Sequence, residues 1–551
     1  MNTISGKTLL EMFLTGAYYL KQNYKTIDDL NVFPVPDGDT GSNMLSTMLS
    51  GIRELRNLEE DPNIADVAMK FSKGLLFGAR GNSGVILSQI FAGFASLGPD
   101  YYSVDLNQAA EALNASKVVA YKSVSVPVEG TILTVISDAT KAVLSKINKI
   151  ESIEELSDIY LKEAEESLDR TPLLLPVLKE AGVVDSGGAG FVTILRGMKA
   201  GINGEYHTFD EVLSSTQSAQ TSTKNFMDFD YYELNKYGYC TEFTIRLNPN
   251  LDFNKDDFSK KLEMFGYSIV VVNTEDIVKV HIHSKTPGEV FSFAQRYGAL
   301  CAVKAENMAI QTSENSSIVV ERLKSPKRVE AKREKYGIVA VVNGDGLKDM
   351  FMALGVNEIV NGGQTMNPST QDFIDAIEKV NAEHVFVIPN NKNVYMSART
   401  AKALINDKHV VVVPAKTIAQ GYAALTVFDQ TLSPRQIIKD METKIGSIES
   451  GEVTYAIRNS VSSGIEIHKN DFIGILDGTI INSFHNRMET VKDLIDSMIT
   501  EESSQVVIFY GADVNDNELS ELESYLETKS EICPQLIEGG QKIYSYIIEV
   551  E

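Results

Sequence analysis

The chain has 551 residues, a formal net charge of −24 and no tryptophan, and 43% of its residues are hydrophobic. This length predicts three or four domains, and the ordinary composition excludes a wholly disordered chain. With 75 acidic against 51 basic residues, the chain is not expected to be a general nucleic-acid-binding protein, which needs clustered Lys and Arg.

The start of the chain and its cysteines predict a cytoplasmic protein. The first 20 residues lack the basic and then apolar order of a signal peptide. The longest uncharged run, between Arg80 and Asp100, is too rich in glycine, serine and amide side chains for a membrane span. Cys240, Cys301 and Cys533 form no CxxC pair. We therefore expect reduced thiols, no transmembrane segment and at most a peripheral membrane contact.

Residues 1–205 are predicted to form an all-α domain. Apolar residues recur at helical spacing after Met44, after Thr131 and after Gly190. No strong alternating strand pattern occurs in this part of the sequence. The chain then enters a polar linker, residues 213–224.

An acidic turn carries the strongest chemical signal of this domain. Asp37 and Asp39 present carboxylates two residues apart, and the amide oxygen of Asn31 can join them. Such hard oxygen ligands suit Mg²⁺. The turn does not fit an EF-hand loop, because Ser42 and Met48 stand where that loop needs Gly and Glu. The residue types alone leave an acidic surface turn without a ligand as the alternative.

Four Gly-, Ser-, Thr- and Asp-rich junctions are each predicted to begin a helix, at residues 37–43, 81–84, 129–131 and 185–190. The first turn of a helix has unpaired N–H groups and the positive end of the helix dipole. If these ends converge, they can bind a polyphosphate without a GxxxxGK[ST] loop, which the sequence lacks. Each junction taken alone could be an ordinary helix cap.

The middle region, residues 228–320, changes to an α+β pattern. Residues 239–247 alternate as in a strand, and a helix, two strands (268–273 and 277–283), a helix (288–297) and a strand near 301–304 follow. The order βαββαβ predicts a ferredoxin-like unit.

Four polar side chains of the middle region form a second candidate site. Cys240 and Glu242 share one face of their strand, and His281 and His283 share one face of theirs. Cys, Glu and two His are a plausible tetrahedral Zn²⁺ set if the strands are neighbours. Otherwise they form a polar sheet face, or the two histidines form a metal-free catalytic pair.

After a basic linker, residues 322–335, the C-terminal region (336–551) alternates apolar strands with helices. The strands are predicted at 337–342, 385–389, 410–413 and 506–510. This pattern is typical of an α/β domain with a mainly parallel sheet.

The motifs of the N-terminal domain resemble a known family. NVFPVPDGDTGSNM, GARGNSGVILSQ, PVEGTILTV and DSGGAGF resemble the Dak2, or DhaL-type, nucleotide-binding domain of dihydroxyacetone kinases, and the whole chain resembles the ATP-binding component of bacterial fatty acid kinases. The resemblance implies an antiparallel helical barrel with ATP and two Mg²⁺ at one end, the metal being held by Asn31, Asp37 and Asp39. It places near the phosphates Thr40, Gly41, Ser42, Asn43, Asn82, Ser83 and Gly84. It places along the nucleotide pocket Thr131, Asp185 and Gly187. Dihydroxyacetone-specific members carry Asp where this sequence has Asn31.

The same resemblance extends to the rest of the chain. It includes GYCTEF and VHIHSKTPGE of the middle region. The C-terminal region resembles DegV-type fatty-acid-binding proteins in its pattern, with residues 361–369 where that fold has a ligand loop. We expect this region to dock a separate DegV-type carrier rather than to bind lipid itself.

The resemblance implies a kinase that transfers the γ-phosphate of ATP to a carrier-bound fatty acid, giving acyl phosphate for phospholipid synthesis. A fatty carboxylate is ionised at pH 7 and needs no general base, so Asp37 and Asp39 are expected to act through Mg²⁺, with His281 and His283 as further catalytic candidates. The alternatives are a kinase of a small polyol such as dihydroxyacetone and an ATP-binding regulatory scaffold without turnover. We also expect a homodimer.

Overall fold

The computed structural model describes residues 2–551 except 31–37, 60, 98–100, 125, 215–238, 249–250, 252, 263, 275–276, 285, 308–332, 364–366, 463 and 530–531. In the middle region it describes several strand residues by their backbone alone. The chain divides into two compact units, one made of residues 1–215 with 332–551 and the other of residues 216–331.

The N-terminal part of the first unit is helical, as predicted. Its helices are α1 (Gly6–Asp28), α2 (Thr40–Glu54), α3 (Ile64–Gly78), α4 (Gly81–Phe94), α5 (Leu106–Ser123), α6 (Ile132–Lys146), α7 (Ile153–Leu174), α8 (Pro176–Ala181), α9 (Ser186–Ile202) and α10 (Phe209–Leu213). The short strands β1 (Thr3–Ser5) and β2 (Ser103–Asp105) pair antiparallel. Side chains of Ser5, Asn63, Asp105, Ser152 and Thr208 cap helices by accepting hydrogen bonds from first-turn N–H groups.

Aromatic and small residues build the core of this helical domain. The rings of Phe13 and Phe71 stack with centroids 4.0 Å apart, and Phe91 meets Phe13 edge-on at 5.5 Å. Helices α1 and α9 approach closely at Gly197, where a Cβ would lie 2.5 Å from the carbonyl oxygen of Thr15. The apolar spacing seen in the sequence therefore becomes one buried core.

The middle unit contains β3 (Tyr239–Leu247), α11 (Lys255–Leu262), β4 (Tyr267–Thr274), β5 (Ile277–Ser284), α12 (Pro287–Ala294) and β6 (Gly298–Asn307). The strands lie in the order β4-β5-β3-β6, and each neighbouring pair is antiparallel. Phe243, Ile245, Val280 and Ile282 are buried with the helices in one core. The helices therefore cover the apolar face of this sheet.

The C-terminal part of the first unit is an α/β domain with two larger sheets and one small hairpin. Its strands are β7 (Glu334–Val342), β8 (Glu358–Asn361), β9 (Ala382–Ile388), β10 (His409–Val412), β11 (Glu449–Tyr455), β12 (Ser460–Ser462), β13 (Ile465–Ile467), β14 (Phe472–Leu476), β15 (Thr479–Phe484), β16 (Gln505–Tyr510), β17 (Cys533–Glu538) and β18 (Tyr546–Val550). Its helices are α13 (Asp345–Ala353), α14 (Thr370–Lys379), α15 (Tyr395–Leu404), α16 (Ile418–Thr426), α17 (Pro434–Gly446), α18 (Arg487–Met498) and α19 (Asp516–Glu527).

The two larger sheets differ in strand direction. The strands in the order β10-β9-β7-β8 are all parallel, as the apolar strands predict. The six-stranded sheet, in the order β15-β14-β11-β18-β16-β17, is antiparallel except for the pair β16–β17. The expectation of a mainly parallel sheet is therefore wrong for the sheet that contains residues 506–510. Short hairpins such as Leu476 to Thr479 leave no room for the crossovers that parallel strands need.

Within the described residues, no helix is both long enough and apolar enough to span a bilayer.

Candidate functional site

Helices α2, α4 and α9 begin side by side at one end of the helical domain. The hydroxyl of Ser186, at the start of α9, lies 3.3 Å from the hydroxyl of Thr40, at the start of α2. Gly81, at the start of α4, lies against the buried amide of Asn43 in the first turn of α2. Three of the predicted junctions therefore meet around the N-terminus of α2.

The fourth junction joins the group through Asp185. This carboxylate caps α9 by accepting a hydrogen bond of 2.7 Å from the Gly188 N–H, and it also accepts one from the N–H of Ile132, the first residue of α6. Gly187 leaves space there, since a Cβ would lie 3.3 Å from the Asp185 carboxylate. Burial raises the pKa of Asp185 to about 6. Four helix N-termini thus converge on one region, and Asp28 and Asp185 accept hydrogen bonds from first-turn N–H groups of α2, α6 and α9.

The N-cap residue of α6 belongs to a separate, local hydrogen-bond network. Thr131 accepts a hydrogen bond of 3.4 Å from the Leu133 N–H, and its hydroxyl donates to the Val128 carbonyl at 2.7 Å. Glu129 accepts a hydrogen bond of 2.5 Å from the Thr134 hydroxyl. These bonds fix Thr131 at the N-terminus of α6.

Two carboxylates flank the N-terminus of α2. Asp39 is its N-cap residue and uses no side-chain oxygen to cap the helix. Asp28, the last residue of α1, accepts hydrogen bonds from the N–H and the hydroxyl of Ser42, at 3.0 and 2.6 Å. The N–H of Gly41 also donates to Asp28. Burial raises the pKa of Asp28, and the bonds from Ser42 oppose that change.

A loop of the C-terminal domain reaches the same place. Asn367, whose exposed fraction is 1%, donates from Nδ2 to Oδ2 of Asp39 at 2.5 Å. Nη1 of Arg80 donates to the Asn367 carbonyl at 2.8 Å, and the Thr370 N–H donates to the Ala79 carbonyl at 3.1 Å. The start of α4 is therefore tied by its backbone to the start of α14.

A second side chain of the C-terminal domain, Arg458, contacts the segment that follows α1. Arg458 donates from Nη1 to the carbonyl of Asp29, at 3.1 Å, and its Nη2 is buried without a partner in the described part of the chain. An open cleft beside it is lined by Glu180 of α8, by Ser460 and by His468. The helical and C-terminal domains thus both line this cleft.

The structure describes most but not all of the predicted nucleotide-site residues. Asn31 and Asp37 lie outside the described residues. The described ones, all within the first turns of α2, α4, α6 and α9 or at their N-caps, are Asp39, Thr40, Gly41, Ser42, Asn43, Asn82, Ser83, Gly84, Thr131, Asp185 and Gly187. Oδ1 of Asn82 is buried and has no hydrogen-bond partner among the described residues.

The sequence interpretation missed four residues of this region: Asp28, Arg80, Asn367 and Arg458. Asp28 carries a usable signal, because it lies three residues before Asn31 in the same acidic motif. Asn367 belongs to the expected loop at 361–369, but no feature of that loop predicts a contact with Asp39. Those two residues are 328 positions apart, so local spacing carries no information about the contact.

The second candidate site is described by its backbone alone. In the antiparallel pair β3–β5, Cys240 stands opposite His283 and Glu242 stands opposite His281. Their strands are therefore neighbours, and their register places all four on one face of the sheet. Their side chains lie outside the described part of the chain. The described residues contain no group of three or more His, Cys, Asp or Glu that could hold a metal ion. Because that finding does not include the four candidate ligands, the zinc prediction stays untested.

Comparison with protein families accounts for most of the chain. A model described as DAK2 domain matches residues 34–200. The models for the middle domain and the C-terminal domain of the FakA-like fatty acid kinases match residues 236–315 and 337–551. Together they cover the converging helices, the antiparallel middle sheet and the α/β domain.

The chain is also similar to individual relatives and solved structures. Protein YloV of Bacillus subtilis is 42% identical over 100% of both chains. A DegV family protein from Thermus thermophilus, whose structure is titled for fatty acid binding, is 11% identical, with a TM-score of 0.30, and covers 39% of this chain and 99% of its own. The dihydroxyacetone kinase of C. freundii, solved with AMP-PNP and Mg²⁺, is 12% identical, with a TM-score of 0.29, and covers 42% of this chain and 52% of its own.

Proposed function

The chain belongs to the FakA-like family of fatty acid kinases, and from that premise we propose that it transfers the γ-phosphate of ATP to a fatty acid carboxylate presented by a separate fatty-acid-binding protein. The observation that carries the proposal is the convergence of four helix N-termini beside Asp39 and Asp28. Helix N-termini bind phosphate groups through their N–H groups and dipoles.

The donor set at this end of the domain fits Mg²⁺. Asp39 offers a carboxylate that does not cap its helix, and the family motif adds Asn31 and Asp37 from the adjacent segment. Mg²⁺ is typically held by one or two carboxylates together with phosphate oxygens and waters. We propose that Asn31, Asp37 and Asp39 hold the metal, which neutralises charge on the phosphates when it is bound with ATP.

In this proposal the protein's own groups position the phosphates of ATP and do not themselves react. The N-termini of α2, α4, α6 and α9 are fixed by packing, so their dipoles need no reorganisation when charge develops on a transferring phosphate. Thr40, Ser42 and Asn43 stand in the first turn of α2, where they can contact the phosphates. Since a carboxylate is already a nucleophile at pH 7, no residue has to remove a proton from it.

We propose that the carboxylate arrives through the cleft beside Arg458. The buried, unpartnered Nη2 of this residue is a cationic hydrogen-bond donor of the kind that binds carboxylates. Asp29, which Arg458 contacts, shortly precedes the segment with the metal ligands. An acyl group delivered to the cleft would therefore have its carboxylate next to the nucleotide site.

The C-terminal domain is proposed to dock the carrier instead of holding the lipid. Its internal cavity lies beyond the carboxyl ends of β7 and β9, where α/β sheets commonly bind ligands. That cavity is small, about 50 Å³, and the buried polar side chains of Asn390, Asn391, Glu452 and Gln541 lie among the apolar side chains that line it. Burying an acyl chain against such groups is unfavourable, because their hydrogen bonds with water would be lost.

We further propose the finer features of the three domains. The helical domain (1–205) forms an antiparallel barrel, and the middle domain (228–320) is ferredoxin-like with Zn²⁺ at Cys240, Glu242, His281 and His283. The C-terminal domain (336–551) is DegV-like. The antiparallel strand order β4-β5-β3-β6 supports the second assignment.

Removing the carboxylates of the acidic turn tests the proposal. Asp39→Ala and Asp37→Ala should each lower acyl phosphate formation from carrier-bound oleate by about a hundredfold or more, the scale found when one electrostatic group leaves a catalytic site. Acyl phosphate is measured by trapping with hydroxylamine, together with ADP release. Asp66→Ala, which removes an exposed carboxylate from the first turn of α3, is the control. Turnover near that of the unaltered protein at saturating Mg²⁺ would reject the assignment.

A further inference from the structure

We infer that the nucleotide and metal site is shared between two domains, with Asn367 of the C-terminal domain acting as a positioning residue for Asp39. This inference rests on the proposed function, because it assigns a role at the same site. It adds a residue from a domain for which the sequence pattern predicts only a docking role.

The contact is specific in its geometry. Nδ2 of Asn367 donates to Oδ2 of Asp39 at 2.5 Å. A hydrogen bond to a charged acceptor is stronger than one between neutral groups. With Oδ2 held by the amide, the Asp39 carboxylate has one defined orientation at the start of α2. Such second partners of metal-binding carboxylates commonly control metal affinity.

Asn367 is itself held in place by the helical domain. Its carbonyl accepts a hydrogen bond from Arg80, and the following turn is tied to α4 by the Thr370 N–H and the bridge between Arg80 and Ser369. Nη2 of Arg80 also lies 3.8 Å from the carboxylate of Asp372. The side-chain amide of Asn367 is therefore held by a backbone segment that is itself hydrogen-bonded to the helical domain.

Unused hydrogen-bonding capacity surrounds the contact. Oδ1 of Asn367 is buried without a partner among the described residues, as is Oδ1 of Asn82 in the first turn of α4. Buried amide oxygens normally have a partner. Both oxygens suit a donor such as a metal-bound water or a nucleotide hydroxyl. The arrangement thus fits a site that is completed by a hydrated metal and nucleotide.

The test measures binding rather than turnover. Binding of AMP-PNP to the full chain is followed by calorimetry over a series of Mg²⁺ concentrations. Asn367→Ala should raise the Mg²⁺ concentration for half-maximal binding by about tenfold, the lower end of the effect for lost second partners of metal ligands. Asn367→Ser, which is smaller but polar, serves as the second variant should the alanine variant fail to fold.

Two controls separate positioning from docking. Ser397→Ala removes a hydrogen bond of 3.5 Å to the Ala79 carbonyl in the same domain contact and leaves the Asn367 amide, Arg80 and Asp372 intact. Asn517→Ala makes the same chemical change on the exposed surface of α19. Neither control variant should change the midpoint, which is the Mg²⁺ concentration for half-maximal AMP-PNP binding.

An unchanged midpoint in both Asn367 variants would overturn the inference and leave the proposed kinase intact. An equal shift in Ser397→Ala would also overturn it, because domain docking would then explain the effect. If the unaltered protein binds no AMP-PNP at any Mg²⁺ concentration, the nucleotide site itself is wrong and both proposals fall.

Discussion

Gly81 shows how a single backbone position sets the distance between α2, α4 and the C-terminal loop. Its φ is 58°, in the left-handed region, and a Cβ there would lie 2.6 Å from Nδ2 of Asn43 and 3.4 Å from Nδ2 of Asn367. A side chain at this position is therefore both strained and in collision with site residues.

Gly81→Ala should weaken AMP-PNP binding as well as stability. The strain alone is worth about 1 kcal/mol, and displacing Asn43 disturbs the first turn of α2. Gly182 is a matched control, since its φ is 65° and a Cβ there meets nothing within 4 Å. Gly182→Ala should lower the melting temperature but leave nucleotide binding unchanged. Equal binding by the two variants in calorimetry would contradict the role given to Gly81.

Asp185 makes the stability of the helical domain depend on pH. Burial raises its pKa from 3.8 to about 6, so the folded state binds more protons than the unfolded state between those values. The free energy of unfolding therefore falls as pH rises through this window and stays lower above it. The shift corresponds to at most about 3 kcal/mol.

Asp185→Asn keeps the helix cap and removes the buried charge. Its melting temperature should exceed that of the unaltered protein at about pH 7.5, and the difference should shrink towards about pH 4. Ser152→Ala, which removes a non-ionisable N-cap side chain from α7, should change the melting temperature by a similar amount at every pH. Calorimetric scans without nucleotide decide the matter: parallel pH profiles for the unaltered protein and Asp185→Asn would refute the prediction.

The positions where helices begin could be predicted from the sequence, but the convergence of these helix N-termini in space could not. The four junctions do begin α2, α4, α6 and α9, because Gly, Ser, Thr and Asp satisfy first-turn N–H groups locally. Their convergence depends on contacts such as Thr40 with Ser186, which no local pattern encodes. The antiparallel direction of the six-stranded sheet escapes prediction for a related reason, since buried strands have the same pattern in parallel and antiparallel sheets.

The pairing of β3 with β5 makes the zinc hypothesis testable. Because Cys240 is opposite His283 and Glu242 is opposite His281 across the ladder, the four ligands have neighbouring backbone positions. Purified protein should contain about one Zn²⁺ per chain, and His281→Ala with His283→Ala should lose it. Lys279→Ala, on the same face of β5 by strand period, should retain it. Elemental analysis that finds no transition metal in the unaltered protein would reduce the histidines to a polar face or a metal-free pair.

At the scale of the whole molecule, the proposed function divides the work between nucleotide and lipid among the domains. The helical domain supplies the converging N-termini, and the C-terminal domain supplies Asn367 and Arg458 at the same end. A free fatty acid partitions into membranes, since each buried CH₂ contributes about 0.8 kcal/mol. The cavity beyond β7 and β9 in the C-terminal domain, at about 50 Å³ and with buried polar groups in its lining, does not offer equivalent burial. The proposed delivery by a carrier that shields the acyl chain and exposes the carboxylate would resolve this mismatch.

We therefore expect the full chain to form acyl phosphate from carrier-bound oleate at least about tenfold faster than from free oleate. The reason is that only the carrier keeps the acyl chain out of membranes while the carboxylate of the fatty acid reaches the cleft. A chain shortened to residues 1–325 should bind AMP-PNP at high Mg²⁺ but form no acyl phosphate from either substrate, since it lacks Arg458, Asn367 and the docking domain. Circular dichroism checks that the shortened chain is folded. Comparable turnover of free and carrier-bound oleate by that shortened chain would show that the helical and middle domains suffice, and the C-terminal domain would then need another role.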